Sequence, residues 1–489
     1  MMTIINDLAI LLGQDNVIAG DTADAMPYLI DSYGRKGMAT AIALPRNVKA
    51  LQKLVAWVYQ KAQQKNSQSI PMLIPMGGHS GRSQGALIKE SLPAEDTHRP
   101  IIIVCLKYFN KILSVNEKNN SLLAEAGVVL DDIYRAADNI NRIFPIALGS
   151  SGSCHIGGVL STNAGGYNVF RYGMARHWVL GLSVVLPNGD LLCDEKNLQK
   201  DNSGYDLKQL FLASEGTLGF IVSAQLALAV KPKQKLVGLC KAHHLSEIVD
   251  SYWQLQHHFG SLLVGFELIP DEGRVLLESI GKSIPPFLKN KDQQDNFYGL
   301  FEIDNFLTDH SDDFIEKLST MNNIMVIAKN QKEQKALWAW RENIVWALKA
   351  KEPVARHDIA IPLDQWSGAT DDIQAAVHRI VPDAIAFVFG HVGDGNFHYH
   401  FLRPDHLSIN DWLKKIPVIQ KAVYDKTMAS GGSFSAEHGI GREKIDAWHI
   451  YKNPVAQMVS QKIKKLFDPY NIMNPGVIFL PTKPTPKKL

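Results

Sequence analysis

Three glycine-rich tracts in the first half of the chain place the strongest constraint on its fold. They read PMGGHSGRSQG at residues 75–85, LGSSGSCHIGG at residues 148–158 and SEGTLG at residues 214–219. Glycine permits positive φ and close backbone approach, so amide groups in such tracts can line an anionic pyrophosphate. One tract alone is usually a tight turn, but three within one domain predict a large phosphate-bearing cofactor. The pattern Gly-x-Gly-x-x-Gly is absent from the sequence, which argues against a Rossmann dinucleotide site.

Length and composition narrow the class of protein. A chain of 489 residues predicts two or three domains, and 46% hydrophobic with 20% charged residues is typical of a soluble globular protein. The net charge of +2 gives no reason to expect nucleic acid as a partner. The four cysteines are far apart and form no Cys-x-x-Cys, which fits a reducing compartment. Neither a signal peptide nor an apolar run of membrane-spanning length is present, so we expect a cytoplasmic protein without an integral membrane segment, and peripheral attachment to the inner membrane stays open.

A second feature is the sequence FGHVGDGNFHYH at residues 389–400. The apolar run at 384–389 predicts a buried strand, and the alternation after the glycines predicts a return strand with His398 and His400 on one face. The hairpin would present His391 and His398 together, and neutral imidazole is a common metal ligand. Spacing alone leaves open the alternative that both are hydrogen-bonded core histidines.

Arg341 lies in the apolar stripe of a helix predicted over residues 331–350. Burying a lone charge is costly, so this arginine needs a partner. A substrate carboxylate could accept two hydrogen bonds from it, but taken alone an internal salt bridge, or a guanidinium extended to the edge of the stripe, is the better interpretation. The alternation at residues 354–361 places Arg356 and Asp358 on one face of a strand.

These tracts, in this order, resemble the signatures of a flavoprotein family. Residues 75–81 resemble the first FAD loop of the vanillyl-alcohol oxidase / p-cresol methylhydroxylase (PCMH) superfamily. Further segments resemble its D-2-hydroxyacid dehydrogenase branch, and within it the D-2-hydroxyglutarate dehydrogenases: 149–166, 171–173, 200–206, 214–219, 390–398, 435–441 and 474–476. The resemblance spans nearly the whole chain.

The resemblance implies an α+β fold. A PCMH-type FAD-binding domain of two subdomains would occupy residues 1–232, and a cap domain with an antiparallel sheet and the metal site would occupy residues 233–450. The segment 451–489 would pack back on the FAD domain. The composition break at residues 231–235 (KPKQK) supports the first boundary.

The resemblance also implies a set of FAD-binding residues, with the pyrophosphate against Gly77–Gly81 and Gly149–Ser153. The full set is Pro75, Gly77, Gly78, His79, Ser80, Gly81, Pro145, Gly149, Ser150, Gly152, Ser153, Gly158, Thr162, Asn163, Gly165, Glu215, Ile221, Val222 and Asn474. His79 stands where the dehydrogenases usually have glycine. In covalently flavinylated relatives a histidine in this motif carries the flavin, so both a covalent link and a non-covalent contact at His79 are considered, the second being favoured.

Glu437 and His438 can supply the third metal ligand and the base that the hairpin lacks. His391, His398 and Glu437 would form a site of two histidines and one carboxylate with open positions, as in catalytic zinc sites. In the resembled family these positions bind a divalent metal, commonly zinc, and the residue at 438 is the catalytic base. Oxidising a 2-hydroxy acid requires the removal of a hydroxyl proton and a C2 hydride. A metal acidifies the hydroxyl, a histidine takes the proton and flavin N5 takes the hydride.

The residues expected to bind substrate are Arg341, Val345, Arg356, His400 and His438. Relative to the family, Val345 replaces threonine, Arg356 replaces lysine and His400 replaces asparagine. Two arginines suit a dicarboxylate such as D-2-hydroxyglutarate, whereas the other changes favour an acid such as D-lactate or glycolate. The electron acceptor, whether electron-transfer flavoprotein, quinone or another, and a homodimer both stay open. Alternative functions are a flavin oxidase that uses oxygen and a metal-dependent hydrolase, although the hydrolase leaves the glycine tracts unexplained.

Overall fold

The computed structural model describes residues 2–64, 70–88, 98–282, 284–285, 296–307 and 311–480. It divides into two compact units. The first comprises Met1–Ala164, Met174–Val230 and His438–Leu489, and the second comprises Gly165–Gly173 and Lys231–Glu437. The domain boundaries predicted from the sequence fall after residues 232 and 450.

Strands and helices alternate irregularly along the chain. The strands are β1 Val17–Ala19, β2 Ala41–Ala43, β3 Met72–Met76, β4 Ile101–Cys105, β5 Ile112–Asn116, β6 Ser121–Glu125, β7 Arg142–Ile143, β8 Val179–Val185, β9 Leu191–Asp194, β10 Phe220–Ala227, β11 Ala229–Val230, β12 Gln234–Ala242, β13 Leu263–Pro270, β14 Phe297–Asn305, β15 Ile324–Ile327, β16 Asp358–Ala360, β17 Ile385–His391 and β18 Asn396–Leu402. The helices are α1 Met2–Leu12, α2 Met26–Leu29, α3 Val48–Gln63, α4 Leu130–Asp138, α5 Ile156–Ser161, α6 Val169–Tyr172, α7 Lys208–Phe211, α8 Leu245–Phe259, α9 Asp271–Ser279, α10 Ser311–Ser319, α11 Gln331–Lys349, α12 Trp366–His378, α13 Ile409–Ala429, α14 Ile445–Tyr451 and α15 Pro454–Phe467.

The first unit contains two main sheets. One has the order β1-β2-β4-β3, in which β2, β4 and β3 are parallel and β1 is antiparallel. The other is antiparallel, with the order β5-β6-β10-β8-β9. Helix α3 begins where the Asn47 side chain accepts a hydrogen bond from the amide of Ala50. Its apolar residues repeat at helical spacing and are buried: Leu51, Leu54, Val55, Val58 and Ala62.

The C-terminal segment packs within the first unit. The amide of Leu73 in β3 donates to the carbonyl of Ile472, and the amide of Asn474 donates to the carbonyl of Leu73, both at 2.8 Å. Residues 472–474 therefore lie along the edge of the first sheet beside β3. The predicted α+β fold included a C-terminal segment that returns to the N-terminal domain, and this feature is confirmed.

The second unit is organised by a single seven-stranded antiparallel sheet with the order β15-β12-β14-β13-β17-β18-β16. Helix α11 contributes Leu337, Trp340 and Ile344 to a core that also contains Tyr298 and Phe387 of the sheet. The antiparallel sheet predicted for the cap is thus confirmed. Among the helices that the structure describes, none is both long and apolar enough to cross a membrane.

Candidate cofactor and metal sites

The β17–β18 hairpin brings the two predicted histidine ligands to one face of the sheet. Phe389 pairs with His398, and His391 lies two residues beyond Phe389 on the same face. The imidazole centroids of His391 and His398 are 5.4 Å apart, and both side chains are buried. Gly395 closes the turn at φ 75°, where an added Cβ would lie 2.4 Å from the carbonyl oxygen of Ile361.

Glu437 approaches both imidazoles. Its Oε1 lies 3.6 Å from His398 Nε2 and 4.0 Å from His391 Nε2. Two backbone contacts hold Glu437 beside the histidines. The amide of Glu437 donates to Asp358 Oδ2 at 3.1 Å, and an antiparallel β-bridge joins Ser433 to Ala360 of β16. The three residues predicted as metal ligands are therefore brought together within the second unit.

Asp358 is a candidate ligand that the sequence analysis noted only for its strand face. One potential ligand atom from each of Asp358, His398 and Glu437 lies within 4.8 Å of the other two. Asp358 Oδ1 also accepts a hydrogen bond from Asn396 Nδ2 at 3.0 Å and is 3.9 Å from His398 Nδ1. Imidazole and carboxylate donors of this kind suit zinc and other divalent transition metals.

Glu267 is the residue that the sequence analysis missed. It lies in β13 with no exposed surface, and its Oε1 is 2.6 Å from His391 Nδ1. Its Oε2 accepts a hydrogen bond from Arg341 Nε at 2.9 Å and forms an ion pair with Arg341 Nη2 at 2.8 Å. The internal salt bridge considered for Arg341 is therefore present. A lone acid in the apolar run LVGFELIP at 263–270 was the available signal, because a buried carboxylate requires partners.

The electrostatics of these groups follow from burial and neighbouring charge. Burial opposes protonation of His391, but the adjacent Glu267 carboxylate outweighs it and raises the pKa of His391 to about 9. Burial raises the pKa of Asp394 to about 7. Burial, assisted by Arg356 and the neighbouring histidines, holds the pKa of His400 well below its ordinary value, so His400 is neutral.

The remaining predicted substrate residues lie in the second unit, except His438, which begins the last segment of the first unit. Val345 is one helical turn beyond Arg341 on α11 and packs against the core. Arg356 Nη2 donates to Glu352 Oε1 at 2.5 Å. His400 Nδ1 accepts a hydrogen bond from the amide of His357 at 3.3 Å.

In the first unit, the first two glycine tracts contact each other. An added Cβ on Gly78 would lie 1.9 Å from the carbonyl oxygen of Ser153, so only glycine fits this crossing. A Cβ on Gly77 would lie 3.4 Å from His155 Cβ and 3.8 Å from the backbone of Gly158. The two segments predicted to bind the pyrophosphate are therefore adjacent.

The same region contains buried polar atoms without partners and open space beside glycines. Both ring nitrogens of His79 and Nδ1 of His155 are buried and have no hydrogen-bond partner in the described part of the chain. Burial lowers the pKa of both imidazoles. An added Cβ on Gly81 or Gly158 would meet no described atom within 4 Å. Unsatisfied buried ring nitrogens and open space beside these glycines fit a large polar cofactor such as FAD. His155 was not among the predicted cofactor residues.

The third glycine tract is linked to the C-terminal segment within the first unit. Glu215, at φ 50°, accepts hydrogen bonds from the amides of Ile440 and Gly441, each at 2.8 Å. The side chain of Asn474 donates to the carbonyl of Glu215 at 2.7 Å and accepts from Arg442 at 2.9 Å. Both predicted cofactor residues therefore use their side-chain groups to fix the segment that follows His438.

The other predicted cofactor residues occupy strand ends and turns of the first unit, with one exception. Pro75 lies in β3 against Gly216, and Ile221 and Val222 are buried in β10. Thr162 and Asn163 end α5, where Asn163 Oδ1 accepts from the amide of Arg176 at 3.0 Å. Gly165 belongs to the second unit. The rest lie in turns or irregular segments: Ser80, Pro145, Gly149, Ser150 and Gly152.

Two family models cover most of the chain. Residues 231–478 match the C-terminal domain of FAD-linked oxidases, and residues 39–193 match an FAD-binding domain. The chain belongs to the FAD-linked oxidase family. Its relatives include the D-2-hydroxyglutarate dehydrogenase of Stutzerimonas stutzeri (strain A1501), 31% identical over 90% of this chain and 91% of that protein. The mitochondrial D-2-hydroxyglutarate dehydrogenase of Bos taurus is 32% identical over 90% of this chain and 77% of that protein. A D-2-hydroxyglutarate–pyruvate transhydrogenase of Saccharomyces cerevisiae is 29% identical over 95% of this chain and 92% of that protein.

Solved structures of the same fold support the assignment. A substrate-bound p-cresol methylhydroxylase matches with a TM-score of 0.71 and 15% identity, over 97% of this chain and 96% of that chain. An alkyldihydroxyacetonephosphate synthase matches with a TM-score of 0.70 and 15% identity, over 97% of this chain and 84% of that chain. At this identity the likeness concerns the fold alone. The predicted family, the PCMH-type fold and the class of FAD-dependent D-2-hydroxyacid dehydrogenase are confirmed.

Proposed function

We propose that this flavoprotein oxidises D-2-hydroxyglutarate to 2-oxoglutarate with the help of a divalent metal. The observation that carries the proposal is the convergence of His391 and His398 on Glu437, directly before His438 in the chain. The relatives named D-2-hydroxyglutarate dehydrogenase support the choice of substrate.

His391, His398 and Glu437 would hold the metal, with zinc as the first candidate. Asp358 would lie beside it, because its carboxylate is close to His398 and Glu437. His438 would accept the hydroxyl proton. The hydrogen bonds that Glu215 accepts from the amides of Ile440 and Gly441 would restrain the backbone just beyond His438. When bound, FAD supplies a hydride acceptor and the metal supplies a Lewis acid for the hydroxyl oxygen.

FAD would lie in the first unit against Gly77–Gly81 and Gly149–Ser153. The unpartnered ring nitrogens of His79 support a direct flavin contact by this residue. A non-covalent contact is the favoured form, and a covalent bond from the imidazole is the alternative. Acid precipitation separates the two, because a non-covalent flavin leaves a colourless pellet and a covalent one leaves a yellow pellet.

Arg341 and Arg356 would recognise the substrate carboxylates. Glu267 accepts a hydrogen bond from Nε of Arg341 and pairs with Nη2, and a guanidinium has five N–H groups, so further donors are available to a substrate. Two arginines suit a dicarboxylate. Val345 and His400, where the family has threonine and asparagine, favour D-lactate or glycolate as the second candidate.

The experiment is anaerobic bleaching of the flavin by a panel of D-2-hydroxy acids, with and without a chelator. We expect D-2-hydroxyglutarate to bleach fastest, the L-enantiomer to be inactive and a chelator to slow the reaction. His438→Ala with bound FAD should bleach far more slowly, by roughly 10²–10⁴-fold for the loss of a general base. Bleaching that is indifferent to chelator would refute the metal role, and hydrogen peroxide released at each turnover would favour the oxidase alternative.

A further inference from the structure

Glu267 connects two charged systems inside the second unit. It is fully buried in β13, 124 residues before His391 in sequence, and each of its oxygens has a different partner. Oε1 lies 2.6 Å from His391 Nδ1, whereas Oε2 accepts a hydrogen bond from Arg341 Nε and forms an ion pair with Arg341 Nη2. An ionised carboxylate can only accept hydrogen bonds, so the hydrogen in the contact with His391 resides on Nδ1.

We propose that Glu267 is a positioning residue that fixes the tautomer of His391, so that Nε2 offers its lone pair to a metal. The inference rests on the proposed metal site. The two nitrogens of a neutral imidazole have opposite roles, and a hydrogen on Nδ1 leaves Nε2 as the ligand atom. Nε2 is also the atom that faces Glu437 Oε1 at 4.0 Å.

Arg341 determines which way the side-chain amide of a Glu267→Gln variant would turn. A guanidinium only donates, so the amide oxygen must face Arg341 and the amide NH₂ must face His391. His391 Nδ1 then accepts a hydrogen bond, and its hydrogen moves to Nε2. Glu267→Gln therefore reverses the tautomer and removes the lone pair from the metal side, although the side chain has nearly the same shape.

The test compares the zinc affinity of the full-length, FAD-loaded protein with that of Glu267→Gln, using chelator-buffered Zn²⁺. Loss of such an orienting partner typically weakens metal binding about 10–100-fold, and we expect a decrease of that size. The matched control is Glu302→Gln in the adjacent strand β14. Glu302 is also a buried acid, but it accepts from Lys235 Nζ at 2.6 Å and Trp338 Nε1 at 2.9 Å. This control should bind zinc as the wild type does.

A second measurement needs no change at Glu267. Nitrogen NMR of ¹⁵N-histidine-labelled wild type without metal, recorded at increasing pH until the ring signals of His391 report a neutral imidazole, shows which ring nitrogen carries the hydrogen in its contact with Glu267. The resonance is identified by its loss in His391→Asn. A hydrogen on Nδ1 supports the proposal, and a hydrogen on Nε2 overturns it even if Glu267→Gln fails to fold.

The outcomes separate this inference from the proposed function. Wild-type zinc affinity in Glu267→Gln, or an equal loss in Glu302→Gln, overturns the role of Glu267. A wild-type protein that binds no divalent metal refutes the metal part of the proposed function, while the tautomer of His391 still decides whether Glu267 orients it.

Discussion

Replacing Lys464 by methionine should loosen the C-terminal segment from the first unit. Lys464 is buried in α15, and its Nζ donates to Asp468 Oδ2 at 2.6 Å and to the carbonyls of Thr217 at 2.9 Å and Met473 at 2.7 Å. Methionine preserves most of the volume but removes the charge and every donor. Asp468 would then be a buried carboxylate without its cation.

Breaking a buried ion pair by removing one partner costs about 3–5 kcal/mol. Each kcal/mol lowers the melting temperature by roughly 2–4 °C in domains of 150–250 residues, so we expect a decrease of roughly 6–20 °C. Lys465 is the matched control, because it is the next residue on the same helix but is exposed. Lys465→Met should change the free energy of unfolding by no more than about 0.5 kcal/mol.

Differential scanning fluorimetry of the FAD-loaded protein, with flavin fluorescence recorded in parallel, measures both unfolding and cofactor release. Met473 accepts from Lys464 and directly precedes Asn474, so flavin should be released at a lower temperature in Lys464→Met. Equal melting temperatures for Lys464→Met and Lys465→Met would refute the reasoning, since the buried contacts of Lys464 would then contribute nothing measurable.

Two further predictions concern burial and glycine geometry. Burial raises the pKa of Asp304 from 3.8 to about 6, so the folded state favours the neutral acid and loses stability as pH rises towards and through 6. Asp304→Asn should therefore be more stable than wild type at pH 8, by up to about 3 kcal/mol, with no gain at pH 4; a gain at both would exclude titration as the cause. Gly78→Ala should destabilise the protein even without FAD, because its Cβ would lie 1.9 Å from the carbonyl oxygen of Ser153. Gly81→Ala, whose Cβ meets no described atom, should leave the FAD-free melting temperature unchanged and weaken FAD binding; equal effects on FAD-free stability would contradict this contrast.

Local patterns predicted the elements of the site well. Strand alternation placed His398 and His400 on one face, and β18 spans Asn396–Leu402 as expected. Helical spacing predicted a helix at 331–350, and α11 spans Gln331–Lys349. These predictions succeed because a hairpin and a helix depend on neighbours in sequence, so the period of the apolar residues determines which side chains are buried.

The partners of the site could not be predicted in the same way. Glu267 contacts His391 because β13 pairs with β17. Glu437 lies close to the histidines because a β-bridge joins Ser433 to Ala360 of β16. Both contacts join segments far apart in sequence, and apolar periodicity carries no information about which strands become neighbours. A lone acid in an apolar strand can indicate that a partner is needed, but it does not indicate which partner.

Charge balance in the second unit favours a divalent cation over a monovalent one. Arg341 compensates the charge of Glu267 through a direct ion pair, so that pair contributes no net charge. Asp358 and Glu437 remain as two carboxylates close to His398. Two negative charges in a partly buried site repel each other strongly in a medium of low dielectric constant. A divalent ion would attract both carboxylates more strongly than a monovalent ion would.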